Sequence, residues 1–405
     1  MVTETITQGY KNTEIGIIPE DWGLKTILDC TDCLDNLRVP MNESQRMKMK
    51  GDIPYCGANG VLDYVNDYVI DDDIILMAED GGYFDEYASR PIAYQMTGKC
   101  WVNNHAHILK AKDNYSQDFI FYSLVHKNIL PYITSGTRAK LNRSEMNRIE
   151  ILFPKSKEEQ SAIAQVLSDT DSLIESLDKL IEKKKNIKQG AMQELLSGKK
   201  RLPGFSGDWE VKKLGDVVDF IKGTGLSKTK VSTDGKNKCI LYGELFTTYN
   251  EVINKIVSKT DYNEGTLSKS GDILMPGSTT TIGIDLAVAS ALLEDNVYLG
   301  GDINVLRKKE DSFDSQFLAN YLTHIQKHKI SEVTQGTTII HLYGKNLKNL
   351  SINIPKSKEE QSAIAQVLSD MDTDIEKLEQ KRDKYKHLKI GMMQQLLTGS
   401  IRLKW

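Results

Sequence analysis

The chain has 405 residues, of which 40% are hydrophobic and 27% charged, with a formal net charge of −4. That is the make-up of an ordinary globular protein long enough for two or more cores, not of a disordered or fibrous one. No run of 18 apolar residues is present to span a bilayer, the opening MVTETITQGYKNTE lacks the basic-then-apolar order of a signal peptide, and five cysteines, an odd number, argue against a disulfide framework; the expected setting is the cytoplasm.

The first recognisable segment is IGIIPEDWGLKTILD, residues 15–29. Cys30 and Cys33 follow as a CxxC with no second pair at zinc-finger spacing, and His105 and His107 alternate on a predicted strand without a third ligand, so all four read as structural. Residues 61–86 carry nine acidic groups and no Lys or Arg, whereas basic residues gather at 183–185, 199–201 and through 222–238. A near-neutral total therefore conceals strong local fields, and the local field decides what a surface attracts.

Residues 73–77 form an apolar run of buried-strand type that leads into a small, polar stretch at 78–82, expected to be a surface loop. A later strand is expected over 106–109 and a helix over 117–129. The loop TSGTRAKLNRSEMN (134–147) and a strand at 149–153 close the region.

Residues 154–169 then read PKSKEEQSAIAQVLSD, and residues 355–370 repeat the stretch letter for letter, 201 positions later. An internal repeat of that fidelity dictates the architecture. Each copy opens a long helix. Ser156 with Glu159, and Ser357 with Glu360, fit the capping box, in which hydroxyl and carboxylate each satisfy an orphan backbone N–H. Beyond the caps a heptad seam runs through Ile163, Leu167, Thr170, Ile174, Leu177, Ile181, Lys184, Lys188, Ala191 and Leu195. In the second copy it runs through Ile364, Leu368, Met371, Ile375, Leu378, Arg382, Tyr385, Lys389, Met392 and Leu396. Gly198 and Gly399 are natural stops, giving helices of roughly 60 Å. The obvious partner for each stripe is the other.

The repeat unit is larger than the helix. RLPGFSGDWEVKKLGDVVD (201–219) answers the first segment, with Asp208-Trp209 matching Asp21-Trp22. The second region repeats the order: apolar run 272–275, polar loop 276–280, strand 303–306, helix 315–328, loop TQGTTIIHLYGKNLKN (334–349) and strand 350–354. The final Arg402-Leu403-Lys404-Trp405 begins the lead-in a third time and stops. The expected divisions are a globular region over 1–153, a helical region over 154–200, a second globular region over 201–354 and a second helical region over 355–405. The two globular regions share a pattern but little sequence, which suits two different targets read from one frame.

Over essentially its whole length the chain resembles the specificity subunit of type I restriction-modification systems. The resemblance rests on the IPEDW and LPGFSGDW lead-ins, the Gly-Thr closing loops, the P-x-S-x-x-E-Q-x-x-I-A helix starts, and the QELLSGKKRL and QQLLTGSIRL helix ends, in that duplicated order. It implies two α/β (α+β) target-recognition domains separated by a pair of long antiparallel coiled-coil helices, related by a pseudo-two-fold repeat. It also implies a bipartite site on double-stranded DNA, one half read by each domain, with the helix pair setting the unread spacer. The implied partners are two DNA adenine methyltransferase subunits and restriction/translocase subunits, which would own the S-adenosylmethionine, Mg and ATP. No cofactor, metal or membrane is implied for this chain.

Phosphate contacts need Lys, Arg, hydroxyls and backbone N–H groups, and base reading needs Arg, Asn, Gln or aromatic reach into a groove. The expected DNA-facing residues are accordingly Gly82, Tyr83, Thr137, Arg138, Lys140, Asn142 and Arg143 in the first domain. In the second they are Ser278, Thr279, Thr280, Thr337, Thr338, His341, Tyr343 and Lys345. A self-contained enzyme is disfavoured. Asp52-Ile53-Pro54-Tyr55 lacks one proline of the adenine methyltransferase loop, Gly223-Thr224-Gly225-Leu226-Ser227-Lys228 lacks Walker A spacing, and there is no HExxH. The alternative is a non-enzymatic coiled-coil scaffold that joins two proteins without reading sequence.

Overall fold

The computed structural model describes residues 8–134 and 139–403. The chain divides into two compact units: residues up to 178 together with those from 380 onward, and residues 179–379. Each unit thus holds one globular module and a part of each long helix, Lys157–Leu195 and Lys358–Leu396.

In the first unit the module is two four-stranded sheets with short helices. One sheet has the order Gly60–Val65, Lys50–Gly57, Lys99–Val102, Ile70–Asp71, and the other has Thr31–Cys33, Ala106–Ala111, Ile74–Ala78, Ala93–Met96. Ile74–Ala78 is buried at every position, which is why it reads as a continuous apolar run rather than an alternating one. A ribbon pairing Gly23–Thr26 with Glu150–Phe153 leads into the first long helix. Ile163, Ala164 and Leu167 of that helix and Leu396 of the other are buried in the same core as Trp22, Phe119 and Ile151.

The second unit repeats this plan. Its sheets run Val218–Lys222, Ile303–Lys308, Asp272–Pro276, Ser290–Leu292, Val252–Ile253, and Ser258–Thr260, Asn237–Ile240, Tyr298–Leu299, Thr266–Leu267. The ribbon Glu210–Lys213 with Ser351–Ile354 leads to the second helix, whose Ile364, Ala365 and Leu368 join the core around Phe317.

Within each unit the two helix segments run antiparallel. In the first, Asp171 meets Lys389 (2.6 Å) and Asp178 meets Arg382 (3.3 Å). In the second, Lys184 meets Asp374 (3.4 Å) and Lys188 meets Asp372 (2.6 Å). The heptad positions Lys184, Lys188, Arg382 and Lys389 therefore carry ion pairs rather than apolar packing. Charge at such positions sacrifices stability for a defined register.

The expected capping boxes are only half made. Ser156 Oγ accepts the Glu159 N–H (3.1 Å) and Ser357 Oγ accepts that of Glu360 (3.3 Å). The carboxylates, however, turn to arginines that follow the opposite helix. Arg402 donates from Nε and Nη2 to Glu159 at 2.9 and 2.7 Å and also reaches Asp21 at 3.0 Å, while Arg201 grips Glu360 on both oxygens. Both carboxylates are buried, with side chains 3% and 2% exposed, and a buried charge demands such a bidentate partner. Gly399 (φ 70°) and Gly198 (φ 74°) stop the helices in the left-handed conformation, where a Cβ would run into Pro19 and Trp22 at the first and Trp209 at the second.

Three boundaries differ from the sequence-based expectation. The helix expected over 117–129 ends at Leu124, where the chain turns towards the 3₁₀ turn Leu130–Tyr132 that holds Pro131. The one expected over 315–328 breaks into Ser315–His324 and Lys327–Glu332. The polar loop at 276–280 contains a short strand, Ser278–Thr279, paired with Ile340–His341.

Candidate nucleic-acid interface

Five segments that lie far apart in each module meet at one end of its sheets, and the same backbone bonds tie them together. In the first module the Leu141 N–H donates to the Glu79 carbonyl (2.7 Å), Glu79 N–H to His105 (2.9 Å), Asn103 N–H to Cys56 (3.0 Å) and Val39 N–H to Val102 (2.9 Å). In the second, Leu342 N–H donates to Gly277 (2.8 Å), Gly277 to Asp302 (2.6 Å), Gly300 to Ile240 (2.8 Å) and Thr224 to Leu299 (3.1 Å). Strand register matches the two sets, because Met77 lies opposite His107 and Met275 opposite Asn304.

A buried polar side chain on the long strand then pins each closing loop. His107 Nε2 lies 2.8 Å from the Leu141 carbonyl and Nδ1 lies 2.7 Å from Asp35. Both partners accept, so both ring nitrogens donate and the ring is an imidazolium. Burial works against that charge, but the hydrogen bonds to Asp35 and Cys33, the Asp35 charge and the Leu141 carbonyl carry the pKa up to about 9. In the second module the buried Asn304 donates from Nδ2 to the Leu342 carbonyl at 2.7 Å.

Charge around His107 is matched. Arg38 bonds Asp35 (3.2 Å) and Glu79, and Lys140 bonds Glu79 (2.7 Å). Glu79 stays below the ordinary carboxylate range: burial raises it, but Lys140 and Arg38 outweigh that. Cys33, Asp35 and His107 are close enough to hold a metal ion, yet His107 has no lone pair to give while it donates twice.

The sequence-predicted residues fall at this end as follows. In the first module Gly82 and Tyr83 follow Ile74–Ala78, with Arg90 stacked 3.2 Å from the Tyr83 ring centre. Asp80 bridges to Lys140, bringing that loop against the closing one, and Asn142 Nδ2 donates to Thr134 Oγ1 (2.8 Å). Arg143 is exposed, and Thr137 and Arg138 lie outside the described residues. In the second module Ser278 pairs with His341 across the short ribbon and bonds Asp302. Thr279 bonds Thr281 (2.8 Å), and Thr280, Thr337 and Thr338 are exposed. His341 stacks on Tyr343 (5.6 Å), and Lys345 lies over the same ring (5.5 Å).

Sequence reasoning missed Arg38, Glu79, His105, Asn304 and Asp302. Asp302 is one of the described non-glycine residues with positive φ (65°), held there by Ser278 and by Lys222 at 3.6 Å; strained backbone of this kind gathers at functional sites. Aligning the strand at 106 with that at 303 would have placed His107 opposite Asn304.

Comparison with known proteins identifies the family of the chain. Residues 19–186 and 206–384 each match the model of the type I restriction modification DNA specificity domain. The chain belongs to that family. Specificity subunits related to it include a putative one of Haemophilus influenzae, 28% identical over 86% of this chain and 87% of its own length. The MjaVIII type I restriction enzyme specificity subunit of Methanocaldococcus jannaschii is 26% identical over 96% and 94%. The fold is also that of the S subunit of a type I restriction-modification system from M. genitalium (TM-score 0.62, 16% identity, 93% of this chain and 96% of that one). No helix among the described residues is long and apolar enough to cross a membrane.

Proposed function

We propose that this specificity-family chain reads a bipartite sequence in double-stranded DNA, one half with each module, and that it carries no catalysis itself. The observation behind this reading is the pair of equivalent module ends: the backbone bonds correspond one for one, while the side chains they carry do not. Lys140, Asn142, His105 and Asp80 stand in one module where His341, Tyr343, Asp302 and Ser278 stand in the other. A frame kept constant under changing side chains suits two readers of different base sequences. A scaffold indifferent to sequence would have no use for it.

In this reading the helix pair acts as the ruler for the unread spacer. Two DNA adenine methyltransferase subunits, and restriction/translocase subunits in a larger assembly, perform the chemistry in the cytoplasm with their own S-adenosylmethionine, Mg and ATP. The test is a genome-wide map of methylated adenines in cells with and without the gene. A two-part motif that vanishes with the gene is the expected result; an unchanged map would refute the proposal.

A further inference from the structure

At the module end described above, four polar side chains of the first module are already engaged by the protein. His105 Nδ1 lies 2.7 Å from Asp80, Lys140 Nζ 2.7 Å from Glu79, Asn142 Nδ2 2.8 Å from Thr134, and Asn59 Nδ2 2.8 Å from the Gly81 carbonyl. Each of these groups is already oriented by a protein partner, which restricts how it can turn towards a base.

Asn104 differs. It stands at the apex of the turn between Lys99–Val102 and Ala106–Ala111, and its side chain is exposed. The residues on either side are fixed. Asn103 is 3% exposed, its N–H bonds the Cys56 carbonyl (3.0 Å), and its Oδ1 accepts the His105 N–H (2.8 Å). The His105 carbonyl in turn accepts from Glu79 (2.9 Å). A carboxamide offers a donor and an acceptor side by side, the complement of the N7 and N6 edge of adenine in the major groove. Held between two pinned neighbours, it loses little backbone freedom on binding. The second module has Gly301 at this apex, with nothing within 4 Å of a Cβ built there, so the amide is particular to the first.

We infer that Asn104 reads an adenine in the half-site recognised by the first module, from the juxtaposition of an exposed carboxamide, two pinned neighbours and the converging loops around it. The inference rests on the DNA-reading proposal above.

The experiment is a methylated-adenine map from cells expressing the wild-type chain or Asn104→Ala with the methyltransferase genes, beside thermal unfolding of the two purified chains. An exposed turn residue leaves unfolding unchanged. The expected map relaxes at one position of one half of the motif, with roughly 5- to 150-fold less discrimination for adenine there, and keeps the other half intact. An unchanged motif, relaxation in both halves, or a uniform fall in methylation with the motif preserved would each overturn the assignment and leave the parent reading standing. A wild-type map with no motif dependent on this chain would overturn both.

Discussion

His107 and Asn304 occupy the same place in the strand register of the two modules, and each donates to a carbonyl within its closing loop, Leu141 at 2.8 Å and Leu342 at 2.7 Å. One does so as a buried cation facing Asp35 and Glu79, the other as a neutral amide. Replacing His107 by Leu keeps the volume but leaves Asp35 and Glu79 with surplus buried charge and Leu141 without its donor. Breaking a buried pair from one side costs about 3–5 kcal/mol, so His107→Leu should lose that much in denaturant titration. Asn304→Leu, which strands one carbonyl, should lose about 1–3 kcal/mol.

The imidazolium also makes the first module sensitive to alkali. Its folded pKa, about 9, lies above the ordinary 6.5, so the native state holds the proton more tightly than the unfolded chain. The stabilisation is complete below about pH 6.5, declines above it, and is gone once pH passes about 9; its size is about 3 kcal/mol. Hydrogen exchange of the strand Ala106–Ala111 should quicken across that window in the wild type, and His107→Leu should remove that part of the dependence.

Arg402 closes the first unit by binding Glu159 and Asp21 together. Arg402→Ala leaves a buried carboxylate unpaired and should cost about 3 kcal/mol. Lys cannot reproduce the planar fork and should restore less than half. Both effects are read as shifts in the thermal unfolding midpoint; an Ala variant as stable as the wild type would discount the clamp.

Inserting four residues into each long helix advances it by about one turn and should lengthen the unread spacer of the methylated motif while leaving both half-sites unchanged. A motif with its original spacer would remove the helices from the measuring role.

The repeat and the helices were legible because sixteen identical residues and a heptad seam are local signals. The paired loops were less so. Ser278–Thr279 is too short to show a period, and its partner Ile340–His341 lies more than sixty residues away. The capping box predicted both arms from local spacing, but the Glu159 carboxylate is captured by Arg402, 243 residues further on. His107 looked like an isolated histidine because nothing nearby in sequence announces Asp35 or Leu141 as its partners. In each case a long-range bond displaced a short-range rule.

Gln160 and Gln361 sit at the same place in the duplicated stretch. Gln160 accepts the Ser116 N–H at 2.9 Å and donates to the Pro154 carbonyl; Gln361 accepts that of Asp314 at 2.9 Å and donates to Pro355. Since each plugs into main-chain atoms, the coupling is blind to which side chains the reader carries. If the modules read DNA as proposed, such a socket should make them interchangeable heads on a common handle, so that grafting a whole head transfers its DNA preference without re-engineering the joint.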